Sequence, residues 1–242
     1  MLEYELISNG THGNDVALFK CYSENDVVYK KVALTQNANA IIAAEKEGYD
    51  WFFNVVGKRN NVQLHQNYFY EIDIPRFAGK SFPPDSIVKG NEKYIEMLIQ
   101  FYIDIWGDAD KFVVHGDMAL CNLIVADDNG MYLIDWEHFH HADKAYFGFD
   151  VINMLYILLF HQIRRFRYLS RKTRYFLKSC YRQLASTASA NNRIMEKPFR
   201  YSYDYLKKNL AQFRLNIDPA RKYVLIRNSR SDLEILDSLV TG

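Results

Sequence analysis

Residues 113–139, VVHGDMALCNLIVADDNGMYLIDWEHF, set two carboxylates and an amide at the ends of short apolar runs. LIVA (123–126) and MYLI (131–134) flank DDNG. An Asn-Gly pair favours a tight turn with positive φ, so this stretch reads as a β-hairpin. Folding it brings Asn122, at the start of one strand, close to Asp135, at the end of the other. Two oxygen-bearing side chains at neighbouring strand ends suit a hard cation. Magnesium fits, because it takes carboxylate and amide oxygens together with phosphates. Asp117 lies five residues before Asn122, in a loop entered from KFVVH, beside the cation site without being buried in it. A carboxylate so placed suits a base or orienting group for a hydroxyl attacking a metal-held phosphate.

The rest of the chain has to hold that constellation. Its 242 residues suffice for one large domain or two lobes, and 49% hydrophobic residues suffice for a sizeable core. Short alternating runs, YELIS, VALFKCY and VVYKKVAL, predict strands over residues 1–34, the first two separated by the turn-rich NGTHGND. Residues 38–56 predict a helix with Ile42, Glu45, Tyr49, Phe52 and Val56 on one face and Glu47, Asp50 and Asn54 on the polar one. YFYEIDI (68–74) predicts another strand, ended by Pro75, and PRFAGKSFPPD reads as a connector. Helices are expected over 91–106 and from about 149 to 167, and the remainder is expected to be mainly helical. The class is therefore α+β, with a small strand-rich part followed by a larger helical part.

Composition narrows the setting. MLEYELISNG has no basic segment leading into an apolar run, so no signal peptide is expected. The longest apolar segment, FDVINMLYILLF, is shorter than the roughly 20 residues a bilayer span needs and reads as a buried helix. Cys21, Cys121 and Cys180 are far apart and form no CxxC pair, so neither a disulfide framework nor a zinc site is expected. A cytoplasmic location is the default. Charge is strongly uneven. Residues 1–160 carry 12 Lys and Arg against 23 Asp and Glu, a net of −11; residues 161–242 carry 18 against 6, a net of +12. Such a tail concentrates anions, although a solvated helix face paired with the acidic part is the plainer reading.

His115-Gly116-Asp117, Asn122 five residues on, and Ile134-Asp135-Trp136-Glu137 together resemble the catalytic and metal loops of the aminoglycoside phosphotransferase and choline kinase branch of the protein-kinase-like fold. The resemblance covers about residues 5–160. It implies a two-lobed kinase-like architecture, with residues 1–76 covering a nucleotide and 77–242 carrying the loops (113–139) and a helical substrate-side tail (161–242). It implies ATP and Mg²⁺, Asp117 as base or orienting residue, Asn122 and Asp135 as magnesium ligands, and His115 as a brace. Asp150, opening the next helix, would brace the catalytic loop. A strand lysine should hold the nucleotide phosphates; Lys30 and Lys31 point to opposite faces, and the family pattern of an apolar residue after the lysine favours Lys31. Its partner is Glu45, which lies on the apolar helix face where a lone charge would be costly. Gly10 and Gly13 would let backbone amides approach the phosphates. Phe77, in the connector, is the hinge candidate.

Three functions compete. The first is an ATP-dependent phosphotransferase acting on a hydroxyl. A tail of net +12 disfavours a polycationic acceptor and favours a small neutral or anionic molecule, a sugar or a glycolipid. Lipopolysaccharide-core and other surface-glycan kinases resemble this fold and suit a basic tail, which could contact an anionic membrane at its inner face. The second is a protein kinase, against which stand His-Gly-Asp, Asp-Trp-Glu and the lack of an Ala-Pro-Glu-like segment. The third is a non-catalytic nucleotide-binding module. No nucleic-acid motif is present, so no nucleic-acid partner is expected. His138, His140 and His141 read as a polar substrate-side loop rather than a metal site.

Overall fold

The computed structural model describes residues 3–9, 15–22, 26–107, 112–127, 130–166, 169–213 and 230–242. Five antiparallel strands form the first part: β1 (Glu3–Asn9), β2 (Val16–Tyr22), β3 (Val27–Ala33), β4 (Gln63–Gln66) and β5 (Tyr70–Pro75), in the order β1-β2-β3-β5-β4. Helix α1 (Asn39–Val55) lies between β3 and β4 in sequence and packs on β3, β4 and β5. The strand β4 escaped sequence reading. QLHQ shows no apolar alternation because it is a short edge strand, held by its pairing with β5. Tyr68 and Phe69, expected inside a strand, sit in the turn between them.

The helical part begins with α2 (Glu92–Trp106). The short strand β6 (Val113–Val114) leads into the His-Gly-Asp loop, and a single 3-10 turn (Leu120–Asn122) leads out of it. β7 (Leu123–Val125) and β8 (Met131–Leu133) form the expected hairpin, pairing Leu123 with Leu133 and Val125 with Met131. Asn129 lies outside the described residues. β9 (His140–His141) then pairs with β6. The expected polar loop is thus partly a strand, because Val113 and Val114 need backbone partners where they are fully buried. Helices α3 (Phe149–Phe166), α4 (Arg171–Thr187), α5 (Pro198–Phe213) and α6 (Arg230–Thr241) follow among the described residues. Among the described residues no helix is long and apolar enough to cross a membrane.

The chain's three tryptophans meet where α1, α2 and the residues after β8 converge. Trp51 lies 4.8 Å from Trp106 and 5.9 Å from Trp136, ring centre to ring centre. Both buried indoles are satisfied: Trp106 Nε1 donates to Val113 O at 3.0 Å and Trp136 Nε1 to Leu133 O at 2.9 Å. Helix α1 can approach this closely because it presents Gly48 there; a Cβ at that position would stand 2.6 Å from Trp136 Cβ. This cluster seats the sheet-side helix on the helical part.

Gly48→Ala should therefore lower stability by about 1–3 kcal/mol, the usual cost of overpacking, although alanine is the better helix former. Urea denaturation of the variant beside the wild type checks this, and an unchanged midpoint would show that the contact is not tight.

Candidate active site

Strand β3 alternates its two lysines as pleating requires. Lys30 faces away from the helical part and pairs with Glu71 at 2.9 Å and Asp73 at 3.0 Å, both on β5. Lys31 faces inward, nearly buried, and its Nζ lies 2.8 Å from Glu45 Oε2 on α1. The same ammonium donates to Oδ1 of Asp135. Three charged groups from β3, α1 and the end of the hairpin thus meet at one point.

The consequences for ionisation follow from burial. Burial opposes the charge on Lys31, but Asp135, Glu45 and Glu137 outweigh it, so Lys31 holds its proton well above the usual lysine range. Burial pushes Glu45 up to about 7, against the pull of Lys31. Glu45 Oε1 has no hydrogen-bond partner among the described residues, so Lys31 is what compensates this carboxylate.

Asp135 sits on a backbone with φ of 66°, in the left-handed region, and its N–H donates to the buried Tyr49 hydroxyl at 3.4 Å. A non-glycine residue so held is strained, and such strain persists where its surroundings over-determine it. Here Tyr49 holds the amide and Lys31 holds the side chain. Sequence reading placed Tyr49 on the apolar face of α1 but gave its hydroxyl no task. A tyrosine one turn after a buried glutamate was the available signal.

The His-Gly-Asp loop is pinned from the opposite side. Asp150, at the start of α3 and fully buried, accepts from His115 N at 3.0 Å and Gly116 N at 2.9 Å. Burial raises its carboxyl to about 7 even so, and nearby Asp117 adds to the rise. Gly116 is required: its φ is 84°, and a Cβ would stand 2.5 Å from His138 Cβ. His115 Nδ1 accepts from Asp117 N at 3.3 Å, so Nε2 carries the hydrogen and donates to Ile134 O at 3.1 Å. This buried ring lies tilted against Trp136, 4.3 Å between ring centres, and burial lowers its pKa to about 4. It bridges the loop carrying Asp117 to the residue before Asp135.

Asn122 donates through Nδ2 to Asp117 O at 2.9 Å, and its own carbonyl accepts from Ile134 N at 3.0 Å. The loop, the hairpin and the Asp135 turn are therefore one hydrogen-bonded unit. A cavity of about 410 Å³ opens above it, lined by Leu18, Lys31, Glu45, Phe77, Asn122 and Asp135 among others. Asp117 is not among its lining residues; it lies at the flank, half-buried. Phe77 follows β5 and stacks on Tyr132 at 4.8 Å, which fixes one wall. Gly10 and Gly13 lie outside the described residues. Arg76 and Gly79, from the same connector as Phe77, also line the cavity, as do Leu18, Tyr29 and Ile124, to which sequence reading gave no part in a site. Gly79 has φ of 147°, and a Cβ would stand 2.4 Å from Val125 O. That close approach lets Lys80 pair with Val125 through two backbone bonds, of 2.8 and 2.9 Å.

The donors suit a hard cation shared with a ligand. Nδ2 of Asn122 is engaged, which leaves its Oδ1 as the available oxygen, and Asp135 adds a carboxylate on the same cavity. Among the described residues no group of three or more His, Cys, Asp or Glu could hold a metal alone. His138 pairs with Glu137 at 3.1 Å, His141 with Glu47 at 3.0 Å, and His140 Nε2 lies 2.6 Å from the Tyr205 hydroxyl.

No known protein-family model matches the chain, and no curated protein matches its sequence. Solved structures do resemble it. An ethanolamine kinase of Plasmodium vivax matches with a TM-score of 0.57 at 12% identity, over 99% of this chain and 84% of that one. An aminoglycoside-3'-phosphotransferase of type VIII matches with a TM-score of 0.49 at 13% identity, over 77% of this chain and 93% of that one. The chain has the two-lobed, protein-kinase-like fold that the ethanolamine kinase also has, as the resemblance of its His-Gly-Asp and Asp-Trp-Glu motifs implied.

Two outcomes follow. Asp150→Ala should cost about 1–3 kcal/mol for each amide it strands, read by denaturant unfolding. His115, with its pKa depressed from 6.5 to about 4, contributes stability that is complete above pH 6.5 and is lost as pH falls through 4. The stability difference between wild type and His115→Gln should shrink over that window by up to about 3 kcal/mol. Asp150 and Glu45, both raised, shift stability in the opposite sense in both proteins, so the difference isolates His115.

Proposed function

We propose that this chain is an ATP-dependent phosphotransferase that moves the terminal phosphoryl group to a hydroxyl of a small neutral or anionic molecule, a sugar or a glycolipid. The observation that carries the reading is the convergence of Lys31, Glu45, Asn122 and Asp135, from four separate segments, on one cavity. The roles follow from position. Glu45 keeps Lys31 charged and aimed into the cavity, where its ammonium would meet the nucleotide phosphates. Phe77 would take the base end, and Gly10 and Gly13 would cover the phosphates. Asn122 and Asp135 would hold Mg²⁺, which supplies charge neutralisation between the terminal phosphates. Asp117, held at the cavity's flank by the His115 ring, would orient the acceptor hydroxyl and take its proton. No covalent enzyme intermediate is required. The nucleotide-covering lobe would comprise residues 1–76 and the acceptor-side lobe 77–242, the division falling where β5 ends.

The net charge of +12 over residues 161–242 supports an anionic partner and acceptor over a cationic one. A surface-glycan substrate of the lipopolysaccharide-core type is the form we favour. It would be met in the cytoplasm, at the inner face of an anionic membrane.

Asp117→Asn should lower kcat by about 10²–10⁴-fold while leaving Mg²⁺–ATP binding within a few-fold of wild type. Lys31→Met should instead weaken nucleotide binding. Turnover against a panel of sugars, phosphorylated sugars and glycolipids, with nucleotide binding measured by calorimetry, checks both. Full activity of Asp117→Asn would refute the assigned chemistry.

A further inference from the structure

Helix α4 carries five cations and no acid over its 17 residues, RKTRYFLKSCYRQLAST. Its buried side, Thr173, Leu177, Cys180, Tyr181 and Leu184, packs against α2 and α6. Arg171, Arg174, Lys178 and Arg182 recur at spacings of three and four, which puts them on one stripe, with Lys172 at its edge. All five are exposed or half-exposed. Among the described residues none of them joins an ion pair, whereas Lys30, Lys31, Lys46 and Arg200 all do. The plain reading of the basic tail, that it pairs with the acidic part, therefore fails on this helix. On the same stripe Tyr175 is 58% exposed, its hydroxyl accepting from Arg171 Nη2 at 3.0 Å.

We propose that this face of α4 is a docking surface for an anionic lipid bilayer. The inference rests on the partnership with an anionic surface proposed above, and not on the phosphotransfer chemistry. From Arg171 to Arg182 the helix offers cations along about 17 Å, in a row that suits a plane of phosphate headgroups. Long basic side chains and an exposed tyrosine are the residue types that sit at such an interface. The net of −11 over residues 1–160 repels the same surface, so the molecule would dock with α4 down. Nucleic acid fits less well, because the stripe is one convex helix face with one exposed aromatic rather than a groove with stacking platforms.

The test is co-sedimentation of the full chain with vesicles of phosphatidylcholine alone and of phosphatidylcholine mixed equally with phosphatidylglycerol. Two charge-matched variants accompany it: Arg174→Glu with Lys178→Glu on α4, and Arg59→Glu with Lys93→Glu on other exposed positions. The wild type and the second variant should bind the mixed vesicles and leave the neutral ones, with binding weakened by salt. The α4 variant should bind at least about tenfold more weakly, with its circular dichroism and its ATP turnover on a soluble acceptor unchanged. Equal loss in both variants would overturn the assignment to α4 and leave a general charge effect. Binding to neutral vesicles, or retention of a single-stranded RNA in place of lipid, would overturn the choice of partner. Loss of turnover in the wild type would count against the phosphotransferase reading and not against this surface.

Discussion

One ammonium group joins three pieces of backbone in this protein. Lys31 reaches Glu45 and Asp135 at once, and none of the three segments could keep its charged group in place without the others. Buried ion pairs add little net stability, because desolvation consumes most of the Coulombic gain. What they enforce is position: removing one member strands the rest, at a cost of about 3–5 kcal/mol. The arrangement fixes a strand, a helix and a hairpin end relative to one cavity.

Helix α1 makes this possible through a single face. Glu45 meets Lys31, Gly48 admits Trp136, Tyr49 holds the Asp135 amide, and Phe52 fills the space behind. A stripe that reads as ordinary apolar packing thus contains a charge, a gap and a hydrogen-bond donor and acceptor, in that order along one side. Below it, His115 and Asp150 give the His-Gly-Asp loop a second anchor that is independent of Lys31.

The candidate site residues were legible because polar groups at the ends of apolar strands are conspicuous, and because the hairpin turn fixes which two meet. Glu45 needed helical periodicity and the cost of burying a charge; pleating showed only that Lys30 and Lys31 face opposite ways, and the choice of Lys31 came from the resemblance. The left-handed backbone at Asp135 was not legible, because it arises from Tyr49 and Lys31, which are far away in sequence. The same holds for β4, whose polar QLHQ takes its structure from β5, and for β9, which exists because β6 is buried. His140 likewise meets Tyr205 only through tertiary packing of α5. Local pattern reports what a residue is; long-range partners decide what conformation it keeps.

The bridge between Lys80 and Val125 has a mechanical consequence. Val125 closes the strand that begins right after Asn122, so the connector bearing Phe77 is stitched to the backbone that carries a candidate metal ligand. The two ends of the cavity are thereby parts of one stiff frame, β8 included. Widening the cavity on its sheet side would therefore have to break the contact of Lys31 with Asp135, because the connector and the hairpin are already tied together.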